Sequence, residues 1–230
     1  MAEMIAIVGE SGSGKSTSIR NLNPAETFII STTGKRPGIK GALKKYPTFT
    51  KTDTGYTGNF VTTSSVDKIA TILKYINTKR PDIKTIIIDD YQYIMGFEAM
   101  DKADQKGYEK FTQMAQHAYQ VLKEAMNMRD DLYVVVSTHS ENTGDRINPF
   151  FKIKTLGKMI DSTITLEGLF TYVFFTSIQR DEDGNPSYKF MTNSDGTTTG
   201  KSPMGLFNEL YIDNDLKLVI DRIEEYNSEE

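Results

Sequence analysis

The octet Gly9-Glu10-Ser11-Gly12-Ser13-Gly14-Lys15-Ser16 fits the pattern G-x-x-x-x-G-K-[ST], and Thr17 follows at once. Each residue type there has a physical task. The glycines let the main chain turn so tightly that successive N–H groups converge on phosphate oxygens. Lys15 brings an ammonium charge to the same oxygens, and the Ser16 hydroxyl is a ligand for Mg²⁺. The stretch predicts a site for the phosphates of ATP and a magnesium ion, built from Gly9, Glu10, Ser11, Gly12, Ser13, Gly14, Lys15, Ser16 and Thr17. A Gly/Ser turn without a ligand is the plainer reading. The apolar run Met4 to Val8 before the loop, and the helix start expected over Lys15 to Asn21 after it, speak for the phosphate site.

The run Thr85-Ile86-Ile87-Ile88-Asp89-Asp90 supplies a second half. A carboxylate at the carboxyl end of a buried strand can reach a magnesium ion through its water shell, which is the role expected of Asp89. Asp90 is the nearest candidate for polarising an attacking water; capping the next segment is an equally good use for it. Ser137-Thr138-His139-Ser140 follows another apolar run and should emerge on the same sheet edge. His139 is there either a sensor of the γ-phosphate or an ordinary loop residue. Later in the chain, Lys152, Lys154, Lys158 and Lys201 could each neutralise transition-state charge from a neighbouring subunit. Lys201, in a Gly/Thr/Ser/Pro loop, is the preferred one. Tyr91 and Tyr93 flank Asp89-Asp90, where an aromatic ring either stacks on adenine or packs. His117 falls inside a long helical pattern and reads as structural.

These groups need a frame. Thr27 to Ser31 and Leu132 to Ser137 are continuous apolar runs like Thr85 to Ile88. Val66, Ile69, Ala70, Leu73 and Ile76, and again Phe111, Met114, Ala115, Ala118, Val121, Leu122 and Ala125, recur at helical spacing. Ser64 is the expected cap of the first of these helices. Apolar strands alternating with amphipathic helices predict an α/β fold, a mostly parallel sheet with helices on both faces. After Gly168 the pattern changes: Phe170 to Ile178, the turn Asp183-Gly184-Asn185-Pro186 and Ser187 to Thr192 predict a C-terminal β-hairpin. A helix over Asp215 to Tyr226 closes the chain. Thr32 to Gly58 reads as a long irregular connection, and Glu141 to Pro149 as a mobile polar loop. With no repeat or low-complexity linker, residues 1–230 are expected to form a single domain.

The chain has 230 residues, 38% hydrophobic and 25% charged, with a net charge of −4 and no cysteine. Disulfides and thiolate metal sites are excluded, which suits a reducing cytoplasm. The early first strand predicts no leader, and the longest apolar stretch, Leu169 to Phe175, is too short for a membrane span. The acidic balance argues against a generally basic nucleic-acid coat. Yet Lys35, Arg36, Lys40, Lys44, Lys45 and Lys51 fall together without an acidic residue between them, a local patch suited to a polyanion. Phe150 and Phe151 could stack on single-stranded nucleic acid or pack in the core. No N/T-K-x-D base-reading motif or L-S-G-G-Q run follows, which disfavours Ras-like GTPases and transporter ATPases.

The blocks GESGSGKSTSIRNLNP, TFII with GIKGALKKYP, TIIIDDYQYIM, RDDLYVVVSTHSE, KIKTLGKMIDSTITLEG and KSPMGLF resemble, in order and spacing, the phage-encoded RecA-like ATPases of AAA type, above all the Sak-type single-strand annealing proteins. The resemblance runs from Ile5 to Tyr226. It implies a RecA-like P-loop core and an ATP-dependent recombination protein that binds single-stranded DNA and helps pair complementary strands. Such a protein works as a homo-oligomer, beside a single-strand-binding protein, in the host cytoplasm. By position, Lys15, Ser16 and Thr17 match the family's phosphate loop and Asp89 its metal-binding strand end. His139 stands where that family usually has glutamine. A catalytic glutamate has no evident counterpart, Glu98 and Glu141 being the candidates. Two other readings share Lys15: an ATPase acting on protein partners, of motor or clamp-handling type, and a small-molecule phosphotransferase.

Overall fold

The computed structural model describes residues 1–53, 55–156 and 163–228. Its centre is an eight-stranded sheet in the order β12-β11-β10-β1-β7-β6-β2-β5. The strands are β1 (Glu3–Val8), β2 (Thr27–Ser31), β5 (Phe60–Thr62), β6 (Thr85–Asp89), β7 (Tyr133–Thr138), β10 (Tyr172–Arg180), β11 (Pro186–Met191) and β12 (Tyr211–Asp213). From β10 through β5 all pairings are parallel; β11 and β12 extend the sheet antiparallel. The fold is therefore α/β with a mostly parallel sheet.

Both faces are covered, which is why the central strands lack polar alternation. Along β1, Met4, Ala6 and Val8 belong to one core, whereas Ile5 and Ile7 belong to the other. The first core is closed by α2 (Val66–Lys79), α3 (Gln92–Asp101) and α4 (Glu109–Met126), α2 and α3 both packing on α4. The second is closed by α5 (Leu216–Ser228) through Leu216, Val219, Ile220 and Ile223. Each such fully buried side chain contributes about 2 kcal/mol of burial free energy.

The expected hairpin is β10–β11, with Phe175 opposite Met191 and Arg180 opposite Pro186. Asp181 Oδ1 accepts from the amides of Asp183 and Asn185 and fixes its turn. Four local expectations are corrected. The chain after the phosphate loop is no α-helix: Ser18–Asn21 form one 3-10 turn. Its amides bond three residues back (Arg20 to Thr17, Leu22 to Ile19), Ser18 Oγ takes the Lys15 carbonyl at 2.6 Å, and Pro24 bars Asn23 from helical geometry. The connection after β2 is not irregular throughout, because it holds a short helix α1 (Ala42–Lys45) and an antiparallel pair, β3 (Thr50–Thr52) with β4 (Gly55–Thr57). The N-cap of α2 is Ser65 rather than Ser64, and its side chain makes no capping bond. The Glu141 to Pro149 segment begins in a two-stranded hairpin, β8 (Ser140–Asn142) with β9 (Phe151–Ile153).

Candidate functional site

The register brings the chemistry-bearing residues to one edge. Val8 is level with Thr138 and Phe175, and Ser31 is level with Asp89. The carboxyl ends of β1, β7, β6 and β2 thus finish side by side, and β7 stands between the loop strand and the carboxylate strand. Residues 73 positions apart then meet: Ser16 Oγ lies 3.0 and 3.2 Å from the two oxygens of Asp89.

The loop is seated by close contacts rather than by a helix. Gly9 has its amide on the Thr138 carbonyl at 3.1 Å. A Cβ there would stand 1.7 Å from Thr176 Oγ1, which itself donates to Ser13 Oγ at 2.6 Å. Gly14 has φ +97°, open only to glycine without strain. Lys15 is buried, and its ammonium donates to the carbonyls of Gly9 and Glu10 at 2.8 and 2.9 Å. That burial lowers its pKa below the ordinary lysine value, against the pull of Asp90, Asp89 and Glu10. Glu10 Oε1 accepts from Ser140 Oγ at 3.1 Å and ties the loop to the start of β8.

Asp89 is 5% exposed. Burial pushes its carboxyl above the usual carboxylate range; the charge of Asp90 adds to this, while hydrogen bonds from Ser137 and Ser16 and the Lys15 charge oppose it. Ser137 Oγ also accepts the Asp90 amide at 3.0 Å. One hydroxyl therefore holds both acidic positions.

Asp90 has φ +61°, the sole positive φ among described non-glycine residues. The Thr32 hydroxyl, on the carbonyls of Asp89 and Asp90 at 3.1 and 2.8 Å, helps to hold it in that left-handed turn. Its carboxylate lies 3.6 Å from His139 Nε2 and 3.5 Å from Thr33 Oγ1. Burial, and then the charge of Lys15, lower the His139 pKa, with Asp90 and Glu10 opposing. Buried Gln92 holds the end of β7 beside it, its Oε1 accepting from Thr138 Oγ1 at 3.2 Å and the His139 amide at 3.3 Å.

A cleft of about 220 Å³ lies over these groups, lined among others by Lys15, Ser16, Asp90, Tyr93, His139 and Lys35. The structure thus brings together Lys15, Ser16, Asp89, Asp90 and His139. Lys201 does not line this cleft: its main chain pairs with Val173, level with Ala6, two residues short of the carboxyl end of β1. Lys152 pairs with Glu141 at 3.4 Å, and the Lys154 amide bonds the His139 carbonyl at 2.8 Å. Lys158 lies outside the described residues. Glu98 is bound to Lys102 and His117 in a separate pocket, so neither it nor Glu141 lines the cleft. Tyr91 is packing, with its hydroxyl on the Ala118 carbonyl at 2.8 Å.

Sequence reasoning passed over Ser137 as a positioning residue, Thr32, Thr33 and Gln92. Their types carry no pattern, and only the register reveals them. The basic run also divides. Lys35 faces the cleft, whereas Arg36 donates to the Tyr46 carbonyl and lies 4.2 Å over the Phe60 ring. Oxygen donors from Ser16 and Asp89 suit a hard divalent cation whose other ligands are water and phosphate. Among the described residues no three His, Asp or Glu side chains converge as a metal cage.

No protein-family model matches the chain, and no curated protein matches it. Function is then to be read from the site's own geometry.

Proposed function

We propose that the chain binds ATP with Mg²⁺ at Gly9 to Thr17 and Asp89, hydrolyses it, and uses the cycle as a RecA-like, phage-type recombination protein that binds single-stranded DNA and promotes annealing. The observation that carries the nucleotide half is the meeting of Ser16 with Asp89 at 3.0 Å, beneath a cleft that Lys15, Asp90 and His139 share. The insertion of β7 between β1 and β6 supports the RecA-like reading, since it sets a polar sensor position between phosphate loop and carboxylates.

Each residue has a role in this scheme. The loop amides and Lys15 hold the β- and γ-phosphates, and Lys15 leaves its own loop carbonyls to do so. Ser16 and Asp89 would hold the magnesium ion, which neutralises charge building on the phosphate oxygens. Asp90 orients a water for attack on the γ-phosphorus. The water's proton passes to the Asp90 carboxylate, and the bond from the γ-phosphorus to the bridging oxygen breaks to release ADP. His139, beside Asp90, registers whether the γ-phosphate is present.

The DNA half is supported by continuity. β8 starts one residue after His139, and the Lys154 amide on the His139 carbonyl closes the base of the β8–β9 hairpin. A shift at His139 is therefore passed to residues 143–150, which carry Arg146, the 87%-exposed Ile147 and Phe150. Aromatic and cationic groups on such a projection suit single strands. Assembly into a homo-oligomer, and work beside a single-strand-binding protein, belong to the same proposal.

The test is steady-state ATPase activity with and without single-stranded DNA, titrated against protein concentration. The proposal expects Mg²⁺-dependent hydrolysis that DNA stimulates and that Lys15→Ala abolishes. Turnover indifferent to DNA but raised by a protein partner would move the assignment to a motor or clamp-handling ATPase. Phosphate transfer to a nucleoside would make it a phosphotransferase.

A further inference from the structure

On the opposite flank of the phosphate loop lies a second, larger cleft of about 450 Å³, lined by Gly12, Gly14, Thr17, Arg20, Tyr188 and Asn214. It shares Gly12, Gly14 and Thr17 with the phosphate cleft, so a ligand whose anionic end sits at the loop can continue into it. Its size is that of a small-ligand pocket.

The walls have a definite chemistry. Tyr188, on β11, is 42% exposed and presents an aromatic ring. A Cβ on Gly14 would stand 3.1 Å from Tyr188 Cδ1 and 3.2 Å from Asn214 Nδ2, so ring and amide both abut the loop. Asn214 is 2% exposed, and its Nδ2 is a buried donor with no hydrogen-bond partner. Such an orphaned buried donor is costly and calls for an explanation. The residue is otherwise well held. Its amide bonds the Tyr188 carbonyl at 3.2 Å, and its carbonyl accepts from Arg20, whose guanidinium is also 3.8 Å from Asp215. Among the described residues no acidic side chain lines the cleft.

We propose that this cleft takes the nucleoside of the bound nucleotide, with the base stacked on Tyr188 and Asn214 offering its free amide proton to a base acceptor. The assignment rests on the nucleotide reading above and replaces the sequence-level idea that Tyr91 or Tyr93 stacks on the base. Tyr91 is buried against α4, and Tyr93 lines the phosphate side. A flat ring and an amide are the groups that recognise a heterocycle with a π-face and ring nitrogens. Arg20, the cation of the lining, is engaged by the Asn214 carbonyl and lies 3.8 Å from Asp215.

The experiment measures equilibrium binding of ATP and of inorganic tripolyphosphate, with Mg²⁺, to the parent, Tyr188→Ala, Tyr188→Phe and Lys15→Ala. Loss of one stacking partner weakens binding by roughly ten-fold. Tyr188→Ala should lose about that factor for ATP and almost nothing for tripolyphosphate; Tyr188→Phe should match the parent; Lys15→Ala should lose both ligands. If Tyr188→Ala binds ATP as the parent does, the base site is overturned while the phosphate site stands. If the parent binds neither ligand, both assignments fall. An unchanged thermal melt of Tyr188→Ala separates lost stacking from lost folding.

Discussion

The two flanks of the phosphate loop differ in almost every physical respect. Toward β6 and β7 the cleft is smaller, and Lys15, Asp90 and His139 line it above the buried Asp89, groups whose pKa values or backbone are perturbed. Toward β11 and β12 the cleft is wider and offers an aromatic ring and an amide. The difference follows from strand direction. Parallel strands deliver all their carboxyl ends, and the side chains following them, to one edge. In the antiparallel extension β11 runs the other way and contributes Tyr188 from within the strand, while β12, running with β1 again, delivers Asn214 just past its carboxyl end. On the proposed function, one flank serves chemistry on the phosphates and the other holds what carries them.

That division can be broken experimentally. The largest effect is expected from Asp90→Asn. Removing the group proposed to orient the water should lower kcat by about 10²-fold, while ATP affinity stays near the parent value. Asparagine tolerates the left-handed backbone, and the change removes repulsion with Asp89 together with attraction to Lys15, so the melting temperature should stay near the parent's. A fall in ATP affinity matching the fall in kcat would place Asp90 in binding instead.

Gly9→Ala acts on the seat that both flanks share. Its Cβ cannot coexist with Thr176 Oγ1 at 1.7 Å, so the loop must shift, at a cost of roughly 1–3 kcal/mol in stability. Binding of ATP and of tripolyphosphate should weaken together. Adding Thr176→Ala should restore part of both, as read by thermal melts and titration; no recovery would show that the contact is not what limits the loop.

The smallest effect is confined to the charged flank. Because burial and Lys15 lower the His139 pKa, the unfolded chain takes up the proton first as the pH falls. Stability from this group is therefore full above ~6.5 and declines as the pH falls below it toward the folded-state value. His139→Gln should flatten that part of the pH–stability curve, measured by denaturant unfolding. A variant with the parent's slope would mean that another group carries it.

Legibility in the sequence followed the range of the interactions. The phosphate loop, the β10–β11 turn and the amphipathic patterns of α2 and α4 are local, and their residue types suffice to announce them. The helix start expected after Lys15 was overruled within a few residues, by Ser18 taking a main-chain carbonyl and by Pro24. The α3 segment, Gln92–Asp101, escaped notice because its apolar residues follow the Asp89-Asp90 strand end without a capping signal.

What the sequence by itself determined is the set of apolar runs and a loop whose backbone can only turn as glycines allow, since those depend on residues near one another in the chain. What the tertiary structure decided is who meets whom at the sheet edge. Ser16 finds Asp89, Ser137 holds both acidic positions, and Lys35 leaves its basic neighbours for the cleft. Tyr188 and Asn214 come to rest on Gly14. The reason is register: pairing between strands distant in sequence places side chains to within a few ångströms, and no local pattern encodes that distance.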